Sequence, residues 1–119
     1  MRERFVDVNG RTVFISGPMT GLPHLNVGAF AEANQILKEA GAADVYNPAF
    51  DYLNGPHRAD DVPHEWWIRK CLCMLCDERW DVLVSLPDWA KSDGASVERN
   101  VARALGMVVC EIGDVEVAR

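Results

Sequence analysis

Asp81-Val82-Leu83-Val84-Ser85-Leu86 is the stretch whose reading decides the fold. Its apolar residues run almost without interruption, so both faces of the strand need cover. A strand covered on both sides belongs to a parallel sheet with helices above and below it. Downstream, Pro87-Asp88-Trp89 turns the chain, a helix is predicted over residues 92–105 with Gly106 as its stop, and 107–111 form the last strand. Upstream, Pro63 opens an apolar helix through Glu65, Trp66, Trp67, Ile68, Leu72 and Leu75.

The N-terminal half repeats this alternation. Thr12-Val13-Phe14-Ile15-Ser16 is β-branched and aromatic and is closed by Gly17-Pro18. Phe30, Ala33, Leu37 and Ala40 recur at helical spacing, with Asn26 as N-cap and Gly41 as a left-handed stop. Asp44-Val45-Tyr46 reads as a short strand ended by Asn47-Pro48, and residues 49–63 as a long loop. Strands alternating with helices predict an α/β domain over residues 1–119 with a parallel sheet of four or five strands and helices on both faces. Phe5-Val6-Asp7-Val8 and Arg11 to Phe14 flank Asn9-Gly10, a hairpin signal. That hairpin conflicts with a central strand at 12–16, whose two edges are already taken.

The composition narrows the function. In 119 residues, 12 Lys plus Arg stand against 18 Asp plus Glu, for a net charge of −6. An acidic chain without a basic run argues against a nucleic-acid polymer as partner, because phosphate chains need clustered cations. The absence of a long apolar stretch argues against a membrane partner and predicts a cytoplasmic chain. Cys71, Cys73, Cys76 and Cys110 read as small structural hydrophobes rather than as a zinc site, since helical geometry puts Cys71 on a different side from Cys73 and Cys76. No metal or cofactor is expected.

Open parallel sheets bind ligands beyond their C-terminal strand ends. Three loops meet there: Ser16-Gly17-Pro18-Met19-Thr20-Gly21, Asn47-Pro48 with the long loop after it, and the segment from Pro87 to Gly94. Two of them place hydroxyl residues beside glycine, which lets backbone N–H groups approach an anion. Glu98 shares a helical stripe with Val101, Ala102 and Leu105. A carboxylate on an apolar stripe needs a partner or a cavity, and Arg69, Arg99 and Arg103 are the candidate structural partners. Burial and the helix dipole push its proton affinity in opposite directions, so its sign stays open. Asp51, Asp60 and Asp61 from the long loop are possible acid partners; His24, His57 and His64 lack ligand spacing. Trp89 reads either as a stacking platform for a base or as a hydrophobic plug under its loop.

The ordered set Phe14-Ile15-Ser16-Gly17-Pro18-Met19-Thr20-Gly21, Leu86-Pro87-Asp88-Trp89, Ser92, Gly94-Ala95, Glu98 and Ala104-Leu105-Gly106 resembles the nucleoside 2-deoxyribosyltransferase-like superfamily. Within it, the chain is most similar to a phage- and bacteria-associated family of domains of unknown function. The resemblance spans roughly residues 12–111. It implies a flavodoxin-like three-layer sandwich, a homodimer or higher assembly, and cleavage of the N-glycosidic bond of a (deoxy)nucleoside or its 5′-monophosphate. Glu98 matches the family's catalytic glutamate. The spacing Ser92-x-Gly94-x-x-x-Glu98 is similar to that of 2′-deoxynucleoside 5′-phosphate N-hydrolases, where the Ser and Gly, with the first loop (here Ser16 to Gly21), hold the 5′-phosphate. Asn47 and Trp89 complete the expected substrate-binding set. The chain departs from the pattern twice: the family's opening tyrosine is Phe14, and the position of a frequent aspartate is Cys73. A non-catalytic nucleotide-binding or sequestering module on the same fold is the alternative those departures favour.

Overall fold

In the computed structural model, which describes residues 5–19, 26–50, 63–77 and 79–116, the apolar run around Val84 is a central strand. The strands β1 (Thr12–Ser16), β2 (Asp44–Tyr46), β3 (Val82–Ser85) and β4 (Val108–Glu111) form a parallel sheet in the order β2-β1-β3-β4. That is the doubly wound, flavodoxin-like order, with its switch point between β1 and β3. Helix α1 (Val27–Glu39) lies between β1 and β2 in the chain, α2 (His64–Leu75) between β2 and β3, and α3 (Asp93–Ala104) between β3 and β4. Short 3-10 turns follow β3 at Trp89–Lys91 and β4 at Ile112–Asp114.

Strand alternation sorts the core into two layers. Val13 and Ile15 of β1 and Val82 and Val84 of β3 pack with Phe30, Ala33 and Leu37 of α1. Phe14 and Leu83 point the other way and pack with Cys71 and Leu75 of α2, Ala102 of α3 and Trp80. All four β3 residues are buried, as a strand covered on both faces requires. At the entry to the two central strands, Thr12 N–H donates to Asp81 Oδ2 (3.2 Å) and Asp81 N–H donates to Thr12 Oγ1 (3.0 Å). This reciprocal pair fixes the relative register of β1 and β3, whose far ends carry the site.

Three local expectations are corrected. The turn at Asn9-Gly10 exists, with Gly10 at φ 76°, but residues 5–8 do not fold back on β1, whose edges are occupied by β2 and β3. Instead Val6 forms a parallel bridge with Val115, through Val6 N–H to Asp114 O (2.7 Å) and Glu116 N–H to Val6 O (2.9 Å). Asn26 occupies the N-cap position of α1 without capping it: its backbone is left-handed, and its side-chain amide donates to Pro18 O (2.9 Å). Leu105, placed on the buried stripe by its spacing, is 51% exposed, because it falls past the end of α3 where the chain turns toward β4. Among the described residues, no helix is long and apolar enough to cross a membrane.

Candidate active site

β1 and β3 end on two serines paired in register, Ser16 opposite Ser85. Both are fully buried on the face covered by α2 and α3, and a buried hydroxyl needs a hydrogen-bond partner. Consecutive residues of α3 supply the partners. The Ser16 hydroxyl donates to Glu98 Oε1 (2.5 Å), and Arg99 Nη1 donates to Ser85 Oγ (2.8 Å). The amphipathic pattern of α3 therefore buries Ala95, Glu98, Arg99 and Ala102 together. Among the described residues Glu98 makes no ion pair, whether with Arg69, Arg99 or Arg103.

Glu98 is only 7% exposed. Burial dominates its electrostatics and raises its carboxyl from the ordinary 4.5 to about 7, against the opposing pull of hydrogen bonds from Ser16 and from the Cys71 thiol. The group is thus poised between its two protonation states near neutrality, the condition that suits proton transfer and nucleophilic chemistry.

Glu98 lines a half-open cavity of about 400 Å³, within the size range of small-molecule sites. The segment after β1 contributes Gly17, Pro18 and Met19, and α2 contributes Trp67, Ile68 and Cys71. The rim after β3 contributes Asp88, Lys91, Ser92, Asp93 and Gly94, with Ala95 below it. Gly17 is required by space: a Cβ there would lie 2.8 Å from Leu86 Cβ. At Gly94 a Cβ would sit 3.6 Å from Ile68 Cγ1, an ordinary contact. Asp88 adopts a left-handed φ of 67°, which short polar side chains tolerate. It pairs with Lys91 at 3.8 Å on the exposed rim. Ser92 is the N-cap of α3, its hydroxyl accepting from Ala95 N–H (3.2 Å). Helix geometry leaves the Asp93 and Gly94 N–H groups of the first turn without an intrahelical acceptor.

The structure gathers Gly17, Pro18, Met19, Ser92, Gly94 and Glu98 around this one cavity, with Ser16 beneath it as the support of Glu98. It separates two other expected binders. Asn47 uses its Oδ1 to accept from Ala49 N–H (3.0 Å) and is absent from the lining. Trp89 is turned away from the cavity: the Arg99 guanidinium lies 3.8 Å from its ring centre, and its indole N–H reaches Glu111 Oε2 (3.5 Å). Its contacts are thus with charged side chains, and the ring stays half-buried. Thr20, Gly21, His24, Asp51, His57, Asp60 and Asp61 lie outside the described residues.

The lining from α2 was missed by sequence reasoning. Trp67, Ile68 and Cys71 fall on one helical face, so the signal was present, but which face meets α3 is set by packing. Of the two departures, Phe14 is fully buried, with ring centroids 5.0 Å from Tyr46 and 6.1 Å from Trp80. Cys73 is exposed, whereas Cys71 two residues earlier is buried in the lining.

The model of one family of domains of unknown function, DUF4406, matches residues 11–111. No curated protein and no solved structure gives a match. The matched residues run from the start of β1 to the end of β4 and include every residue of the cavity lining. The chain therefore belongs to the domain-of-unknown-function family DUF4406.

Proposed function

We propose that the protein cleaves the N-glycosidic bond of a (deoxy)nucleoside or its 5′-monophosphate, with Glu98 as the nucleophile. The observation that carries this reading is a buried carboxylate, held by a hydroxyl from the sheet and poised near neutrality, on the wall of a nucleoside-sized cavity. The motif resemblance supplies the substrate class.

The chemistry follows that of retaining glycoside cleavage. The ionised Glu98 carboxylate attacks the anomeric carbon as the bond to the base breaks, and that electron pair goes to the base nitrogen, which takes up a proton from water. The resulting ester between sugar and Glu98 is then hydrolysed, releasing the sugar and restoring the carboxylate. A second base in place of water would make the reaction a transfer. Ser16 holds Glu98 in the attacking position, and the first turn of α3, with Lys91 beside it, orients the substrate's polar end. Asp88 and Asp93 share that rim, so a free nucleoside meets less repulsion there than a phosphate does. A second copy of the chain covers the open side of the cavity in this reading, which sedimentation analysis checks.

Incubation with a panel of nucleosides and 5′-monophosphates, followed by chromatography for free base, is the direct test. Base release is expected with at least one member. Ligand-induced thermal stabilisation without any release would replace the hydrolase with the binding module.

A further inference from the structure

The candidate reaction uses Glu98 and Ser16 and leaves one buried reactive side chain of the cavity unexplained. Cys71 comes from α2, which packs on the same face of the sheet as α3. It lines the same cavity as Glu98 and hydrogen-bonds its carboxylate. A carboxylate is acceptor-only when ionised, so in that state the thiol is the donor. Ser16 approaches from β1 below and Cys71 from α2 beside. Two donors from two different elements restrict the carboxylate far more than one does, since a single donor still lets the group rotate about its side-chain torsions.

We propose that Cys71 is a positioning residue: together with Ser16 it clamps the Glu98 carboxylate toward the cavity and stabilises its ionised form. This rests on the reading of Glu98 as the reactive group, but the contact exists whether or not turnover occurs. It also gives a physical reason for a buried thiol among the aliphatic lining, where valine or alanine would fill the space without a donor.

Among the described residues, the charged groups facing Glu98 are few. The rim contributes Asp88, Lys91 and Asp93, all exposed and screened by water, while Arg99 on the same helix is turned to Ser85. None of these is altered by substitution at Cys71, so a change in the titration of Glu98 reports the lost donor.

The test follows the Glu98 side-chain carboxyl carbon by NMR through a pH titration of the isotope-labelled protein, assigned by its loss in Glu98→Gln. Two donorless variants, Cys71→Ala and Cys71→Val, are compared with the donor-retaining Cys71→Ser, with thermal melts establishing that each is folded. Val guards against a packing defect in Ala. The expected result is a midpoint raised by about 0.5 pH unit or more in the donorless variants, and returned to or below the wild-type value in Cys71→Ser. An unchanged midpoint in the donorless variants, or a serine variant that behaves like them, overturns the proposal. The titration needs no substrate, so failure to detect base release refutes the reaction without touching the clamp. Where release is detected, the acidic limb of its pH profile moves with the NMR midpoint.

Discussion

The two serines at the ends of β1 and β3 are neighbours in register and equally buried, yet their partners live in opposite circumstances. Ser85 receives a guanidinium that is closed over by the Trp89 ring, so Arg99 is locked between a hydroxyl and an aromatic face. Ser16 donates to a carboxylate that borders an open cavity and is raised to about 7. One pair is a structural joint turned away from the cavity, with only Arg99 Nε left buried without an acceptor; the other borders open space. The difference teaches where the fold tolerates instability, because a carboxyl left undersolvated beside empty space is a liability unless a ligand uses it.

Replacing the carboxylate breaks the comparison most severely. In Glu98→Gln, base release is expected to fall by about three orders of magnitude or more while ligand-induced stabilisation persists. In the wild type, release rises with pH through about 7, since the nucleophile acts ionised. A profile falling through the same region would make Glu98 the acid instead. A full rate in the glutamine variant removes Glu98 from the chemistry.

Stability has the opposite slope. The carboxyl's folded value of about 7 lies above the ordinary 4.5, so the folded state holds the proton more tightly. Below pH 4.5 both states are protonated and burial carries no charge penalty. Between 4.5 and 7 stability is lost, by an amount on the order of 3 kcal/mol, and it levels off above. Denaturant unfolding at pH 5 and pH 8 is expected to show this loss in the wild type relative to Glu98→Gln. Parallel pH dependences in the two proteins would mean the carboxyl is not desolvated.

A finer test uses the serines themselves. Ser85→Ala is expected to destabilise by about 1–3 kcal/mol, because Arg99 cannot shed its charge when its acceptor is lost. Ser16→Ala should cost less at pH 7, since Glu98 answers by taking a proton. Equal costs in chemical denaturation would erase the distinction between the two joints. The last test concerns the glycines of the two rims, and the smallest effect belongs to Gly94. Gly17→Ala forces a Cβ into Leu86 and should destabilise by about 1–3 kcal/mol. Gly94→Ala meets only ordinary contact and should leave the melting temperature nearly unchanged.

Much of this is legible in the sequence. The apolar run at 82–84 and the alternation around it determine a doubly covered parallel sheet, because those patterns are one-dimensional records of burial. Glu98 stood out for the same reason, as a charge on a buried stripe. Ser85 and Arg99 did not, since a serine inside an apolar strand and an arginine on a helix carry no mark of their pairing until the helix is laid over the sheet. Cys71 and Trp67 were hidden in the same way. From sequence Trp89 stays open between platform and plug, because which way the ring faces depends on the Arg99 guanidinium that α3 lays against it. The N-terminal hairpin signal was genuine at Asn9-Gly10 and lost at the next level, because a strand with two occupied edges accepts no third partner.

That displaced segment leaves the fold with a closure of unusual span. Val6 and Val115 lie at nearly opposite ends of the chain, and their bridge holds Val8 and Val115 inside the layer packed on α1. A contact between positions so distant in sequence carries a large loop entropy until the intervening sheet exists. This bridge is therefore expected to close after β1 and β3 have aligned their serines and to open first, which native-state hydrogen exchange at the Val6 and Glu116 amides checks.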